Sequence, residues 1–149
     1  MEVKKILCAV DLEDTIAPSV EYAKMMASMT GASILVAYVI PAHTPYEDVY
    51  LSVNNQPNEV NNPNETIQKS MNALLAEQFV GMDATGVILV GRPSEELVKL
   101  AEEKGANLIV MGTHGRAGFD RLLFGSVAHE VVRAAPCPVM TVRPLMPKK

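Results

Sequence analysis

A glycine-rich stretch between residues 110 and 127 contains the clearest chemical pattern in the chain. Gly112, Gly115 and Gly125 have two and then nine residues between them, Gly118 lies within the second gap, and Ser126 follows directly. Because glycine has no Cβ, its backbone N–H group can approach phosphate oxygens closely, and positive φ angles are accessible. The spacing therefore predicts a phosphate cradle built largely from backbone.

The residues that follow these glycines have the apolar spacing of a helix. We expect it to begin at Ser126 and Val127 and to continue through "SVAHEVVRAA", with Val127, Val131 and Val132 facing inward. The first N–H groups of a helix have no partner within it, and the helix dipole favours an anion there. Arg116 is next to Gly115, where it could pair with a phosphate or remain a solvated charge.

Short apolar runs alternate with helical segments along the rest of the chain. Helices are predicted after Pro18, after the capping residue Asn64 and after Pro93, and we expect Gly31 and Gly105 to end the first and third of them. The polar stretch 41–63, rich in proline and asparagine, is predicted to be a long flexible loop. The apolar runs predict strands at 3–10, 33–40, 85–91, 107–112 and 138–144.

This alternation predicts one α/β domain over residues 1–149, with a five-stranded parallel sheet and helices on both faces. The expected strand order is 3-2-1-4-5. In such a sheet, ligands bind beyond the carboxyl ends of the strands at the switch point, here between the first and fourth strands. Asp11, the 41–63 loop and the glycine stretch all follow strands at that edge.

The stretch "VMGTHGRAGFDRLLFGSVAHEVVRAAPCPVMTVRP" resembles the carboxyl-terminal half of nucleotide-binding universal stress proteins. Its G-x2-G-x9-G-[ST] spacing is similar to that family's ATP-binding signature, and "ILCAVDLEDT" and "NLIVMG" resemble the family's first and fourth strands. The resemblance covers essentially the whole chain. It implies a Rossmann-like fold of the adenine nucleotide alpha hydrolase type and an adenine nucleotide as ligand.

The resemblance also implies a role for individual residues. Asp11 would accept hydrogen bonds from the ribose or help to hold a metal such as Mg²⁺ or Mn²⁺. The backbone of Val39 would bond the adenine edge, and Ala9 and Met111 would line the adenine slot with it. The phosphates would be held by Gly112, Gly115, Gly125, Ser126 and Val127.

Other nucleotide and catalytic sites lack their patterns. There is no G-x-G-x-x-G after the first strand and no G-x-x-x-x-G-K-[ST]. A phospho-receiver would need an aspartate at the end of the third strand, where Gly91 and Arg92 stand. His114 has no Ser, Cys or second His at a spacing that completes a catalytic group, and His43 and His129 are expected to be exposed.

Composition narrows the function classes. A formal net charge of -4 and few aromatic residues argue against a nucleic-acid groove. No segment reads as a signal peptide or a membrane span, so we expect a cytoplasmic protein that does not enter membranes. Cys8 and Cys137 form no C-x-x-C pair and predict neither a disulfide nor a zinc site.

These observations favour a binding module that holds ATP and reports a nucleotide or stress state to a protein partner that the sequence does not identify. A slow ATP hydrolase or phosphoryl-transfer protein is the alternative from the enzyme class, and a pocket for AMP or a cyclic nucleotide is a third. The fifth strand would be an outer strand without charge between Val139 and Val142. We expect it to form a two-fold dimer through Val139, Met140, Thr141 and Val142.

Overall fold

The predicted sheet is present in the computed structural model, which describes residues 2–12, 17–41, 63–113 and 121–143. Its five strands are β1 (Lys5–Ala9), β2 (Ser33–Pro41), β3 (Ala84–Gly91), β4 (Leu108–Gly112) and β5 (Val139–Val142). All pairings are parallel, and the order β3-β2-β1-β4-β5 confirms the prediction. Of the predicted loop, residues 42–62 lie outside the described residues.

The described helices lie between consecutive strands, as α1 (Pro18–Thr30), α2 (Pro63–Gln78), α3 (Pro93–Lys104) and α4 (Arg121–Ala134). Gly31 and Gly105 end α1 and α3 in the left-handed conformation, with φ of 75° and 69°, as predicted. The second helix begins at Pro63, so Asn64 lies inside the helix and the prediction of Asn64 as its cap was wrong. Proline is favoured at the first helical position because its φ is already helical.

Two hydrophobic layers cover the two faces of the sheet. One packs α1 and α2 against alternate strand residues, among them Ile6, Cys8 and Val10 of the first strand and its extension. The other packs α3 and α4 against the opposite set, including Leu7 and Ala9. The central strands are therefore buried on both sides, which explains why their sequences are apolar almost throughout.

The inward face of α4 differs from the prediction at one residue. Val127 and Val131 are buried, but Val132 is 54% exposed. Val127 and Val131 are four residues apart and share one face of the helix, whereas Val132 is rotated by a further 100°. Ala128 takes the third inward position instead.

The two cysteines are free, and the strands nearest to them do not pair with each other. Cys8 is on β1 and Cys137 precedes β5, with β4 between these strands. Two strand spacings amount to about 9–10 Å, which exceeds the roughly 7 Å between Cα atoms that a disulfide tolerates. Burial raises the pKa of the Cys8 thiol to about 12 and also raises the pKa of Cys137.

We expect the two thiols to differ strongly in reactivity. At pH 8 only about 10⁻⁴ of a thiol with a pKa near 12 is thiolate, and Cys8 is fully buried, so it should react with a thiol reagent only when the protein unfolds. Cys137 is partly exposed and should react in the native protein. Thiol titration of unreduced, denatured monomer should find two free thiols. Fewer would mean that Cys8 and Cys137 are bridged within one chain, which the strand order does not allow.

Candidate functional site

The carboxyl ends of β1 and β4 lie side by side at the switch point of the sheet. Cys8 pairs with Val110, so Ala9 is beside Met111 and the chain leaves β1 toward Asp11 next to the end of β4 at Gly112. The helices that follow these two strands cover opposite faces, α1 on one side and α4 on the other. The two chains therefore leave the sheet toward opposite faces at this edge, which is where open α/β sheets bind ligands.

The residues predicted to line an adenine slot are brought together by the fold. These residues, Ala9, Val39 and Met111, belong to the hydrophobic cluster that α3 and α4 form against the sheet, as does Val127, which was predicted to be near the phosphates. They are deeply buried, from 0% exposed for Met111 to 9% for Val39 and Val127. A ligand at this edge would therefore contact only the outer surface of these side chains, or their backbone.

Asp11 is the acidic residue that the described chain places at this switch point. It follows β1 by two residues and is half-buried. Beside it, the end of β4 is held in place by a hydrogen bond in which the Thr113 N–H donates to the Val142 carbonyl at 3.1 Å. Gly112, paired with Val142, therefore has a defined position at the start of the glycine stretch.

The middle of the predicted phosphate cradle lies outside the described residues. Gly115 and Arg116, together with Gly118 and His114, fall in the interval 114–120. Among the described residues, Gly112 is at the end of β4, while Gly125, Ser126 and Val127 are in α4. The structure thus places the two ends of the motif on two consecutive elements, β4 and α4.

The prediction that α4 begins at Ser126 and Val127 was wrong. The helix begins at Arg121, so Gly125 and Ser126 lie in its second turn. In a regular helix their N–H groups donate to carbonyls four residues earlier. The preceding Arg-Leu-Leu segment favours helix, and one glycine costs only about 1 kcal/mol relative to alanine, which is too little to end it. A phosphate beside Gly125 would therefore meet the side of α4, where the side chain of Ser126 is exposed.

A polar cluster between α3 and α4 was not found by sequence reasoning. The Ser94 hydroxyl donates a short hydrogen bond to one oxygen of the Glu130 carboxylate, and the Arg92 guanidinium lies 3.4 Å from the other. Arg92 also lies 3.5 Å from Glu95.

The described residues contain no group of three or more His, Cys, Asp or Glu side chains arranged to hold a metal ion. A Mg²⁺ ion commonly uses only one or two protein carboxylates, with water and nucleotide phosphates as its other ligands. Asp11 fits that limited role. Within the part of the chain that the structure describes, none of the helices has the length and apolar character needed to span a bilayer.

Comparison with known proteins identifies relatives along nearly the whole chain. Universal stress protein MJ0531 of Methanocaldococcus jannaschii is 33% identical over 150 residues, which cover 98% of this chain and 84% of the relative. The solved structure of MJ0577, a hypothetical protein whose biochemical function was assigned from its structure, matches with a TM-score of 0.75 at 26% identity. That match covers 99% of this chain and 100% of the other.

Two further solved structures contain adenine nucleotides. A universal stress protein in complex with cAMP matches with a TM-score of 0.69 at 22% identity, over 96% of this chain and 98% of the other. The universal stress protein of Archaeoglobus fulgidus in complex with dAMP matches with a TM-score of 0.57 at 25% identity, over 95% and 98% of the two chains. Residues 2–143 match the Universal stress protein family as a whole. The fold and this match lead to one conclusion: the chain belongs to the universal stress protein family.

Proposed function

We propose that this protein binds ATP at the carboxyl edge of its sheet and acts in the cytoplasm as a nucleotide-dependent stress-response or signalling module. The observation that supports this most directly is the pairing of β1 with β4, which brings Asp11 and Gly112 to the same edge of the sheet at the switch point. The relatives solved with cAMP and dAMP support an adenine nucleotide as the ligand class.

In this proposal the adenine rests on the buried floor formed by Ala9, Val39 and Met111, and the backbone of Val39 bonds its edge. Because these side chains are almost inaccessible, shape and backbone contacts select the base. Asp11 accepts hydrogen bonds from the ribose hydroxyls, or is the protein ligand of a Mg²⁺ or Mn²⁺ ion that arrives with the phosphates. Such an ion would neutralise phosphate charge.

The phosphates are held from two sides in the same proposal. Gly112 and Gly115 provide backbone on the β4 side, with Arg116 as a candidate cation. Gly125, Ser126 and Val127 provide the flank of α4, where the exposed Ser126 hydroxyl can donate to a phosphate oxygen. AMP or a cyclic nucleotide is the second candidate ligand. The nucleotides bound to two solved relatives, cAMP and dAMP, each contain a single phosphate group.

The proposal predicts binding without efficient turnover. Holding a triphosphate positions the leaving group but does not orient an attacking water, so hydrolysis should be far slower than about 1 s⁻¹, the lower end of ordinary enzyme rates. Asp11→Ala should weaken ATP or metal binding by roughly tenfold, the equivalent of 1.4 kcal/mol, and change any turnover less. Isothermal titration and a phosphate-release assay measure the two effects.

The nucleotide itself can be identified from protein purified without added ligand. Mass spectrometry of the small molecules released on denaturation should find ATP, and titration of the emptied protein should rank ATP above AMP and cAMP. Tighter binding of AMP or cAMP would favour the second candidate. Turnover near 1 s⁻¹ or faster would support the hydrolase alternative, and no binding of any adenine nucleotide would contradict the proposal.

A further inference from the structure

The amino-terminal end of α3 lacks the usual side-chain cap. Its cap position is Arg92, whose side chain makes no capping hydrogen bond, and Pro93 follows as the first helical residue. Helices usually complete this end with a Ser, Thr, Asp or Asn at the cap, since the first N–H groups have no partner within the helix. Here a carboxylate from another helix, Glu130 of α4, lies at this end instead.

Glu130 uses both of its carboxylate oxygens in this contact. One accepts from the hydroxyl of Ser94, a residue that is only 5% exposed, and the other faces the Arg92 guanidinium at 3.4 Å. The two contacts differ in importance. The Arg92 side chain is 60% exposed, and exposed ion pairs contribute little. Loss of the Ser94 contact would leave a buried hydroxyl without that partner, which is costly.

Apolar side chains also join α3 and α4 in the part of these helices that the structure describes. Val127 and Val131, on either side of Glu130, share a hydrophobic cluster with Leu97, Leu100 and Ala101 of α3. Apolar burial is non-directional, so these contacts tolerate a small slide of one helix along the other. A hydrogen bond depends steeply on distance and angle. The Ser94–Glu130 bond is therefore the contact best suited to set the position of α4 along α3.

That position matters for the nucleotide because Ser126 is four residues before Glu130 on the same helix. Four residues rise by about 6 Å and return to nearly the same face. A helix moves as a rigid element over one turn, so a displacement at Glu130 is passed to Gly125 and Ser126. The distance from the Ser126 hydroxyl to phosphate, and the approach of phosphate to Gly125, would change by a comparable amount.

We propose that Glu130 is a positioning residue of the nucleotide site. By accepting the Ser94 hydrogen bond, its carboxylate holds α4 in the register that presents Gly125 and Ser126 to the phosphates. The inference rests on the proposed function, since it concerns the same site. It adds two residues, Ser94 and Glu130, that lie outside the glycine motif and that act through α4 without touching the ligand.

The test measures ATP affinity in full-length protein at a temperature where every variant is folded. Glu130→Ala and Ser94→Ala should each weaken binding by roughly tenfold, the effect of one well-placed hydrogen bond. The double variant should lose no more than either single variant, because both remove the same contact. Glu130→Gln should restore affinity to within about threefold of wild type, since its amide oxygen can still accept from Ser94.

Glu95→Gln is the matched control. Glu95 contacts the same Arg92 guanidinium at 3.5 Å but lies on α3 and makes no described contact with α4, so ATP affinity should be unchanged. A merely structural role for Glu130 would lower the melting temperature of Glu130→Ala and Ser94→Ala while leaving affinity within twofold of wild type, and that result would overturn the inference. If wild-type protein bound no adenine nucleotide, the proposed function would fail first.

Discussion

Replacing Gly125 with valine is expected to reduce ATP affinity by at least about 100-fold while leaving the fold intact. Gly125 lies inside α4, where glycine is destabilising by roughly 0.8–1.0 kcal/mol relative to alanine. A glycine at such a position needs a reason other than helix stability, and close approach of a phosphate is the reason that the proposed site provides. A valine side chain would occupy that space.

Alanine at the same position separates the ligand effect from the helix effect. Gly125→Ala should raise the free energy of unfolding by up to about 1 kcal/mol, and it should weaken ATP binding by less than valine does. Affinity and stability would then move in opposite directions, which a general loss of structure cannot produce.

The second glycine of the motif should behave in the same way, and Gly115→Val should also abolish ATP binding. Titration calorimetry and thermal unfolding are the measurements, and wild-type affinity in folded Gly125→Val would remove Gly125 from the phosphate site.

The fold was predictable because its signals are local. Gly31 and Gly105 stand where the helical apolar pattern stops, and both end helices with the positive φ that glycine accepts readily. Apolar runs between helices leave few topologies other than a parallel sheet covered on both faces. For the same reason, the position of Asp11 and Gly112 at the same edge of the sheet followed from strand order alone.

Features that depend on weak or long-range effects were not predictable in the same way. The start of α4 was misplaced because a single glycine opposes helix by only about 1 kcal/mol, and packing of Val127 and Val131 stabilises the helix as a whole. The Ser94–Glu130 contact joins residues 36 positions apart. Neither residue type is unusual at its position, so only the packing of α3 against α4 reveals the pair.

The second large effect is expected at β5, the outer strand next to β4. The carbonyls of Pro138 and Val142 accept hydrogen bonds from Ile109 and Thr113 on the β4 side. The backbone N–H and C=O groups of successive residues point to opposite sides of a strand. Those of Val139 and Thr141 therefore point away from β4 toward the open edge. Thr141 is exposed, whereas Val142 is already buried in its own chain.

We expect two copies to pair antiparallel at this edge around a two-fold axis, using the outward groups of Val139 and Thr141. The strand contains no charge or proline that would discourage such pairing. Thr141→Pro removes one outward N–H and places a ring against the partner strand, while the bonds to β4 come from other residues. The variant should therefore keep its fold and become largely monomeric.

Sedimentation at tens of micromolar protein would measure this change, with two control variants. Thr141→Val retains the N–H and should remain dimeric. Val90→Pro makes the equivalent change on β3, the other outer strand. The Asp83 carbonyl accepts from the Ile34 N–H on the β2 side, so alternation along β3 points the N–H group of Val90 away from β2. Val90 is also 55% exposed. It should leave the dimer intact. Loss of the dimer in Val90→Pro but not in Thr141→Pro would assign the interface to β3, and a monomeric wild-type protein would exclude both edges.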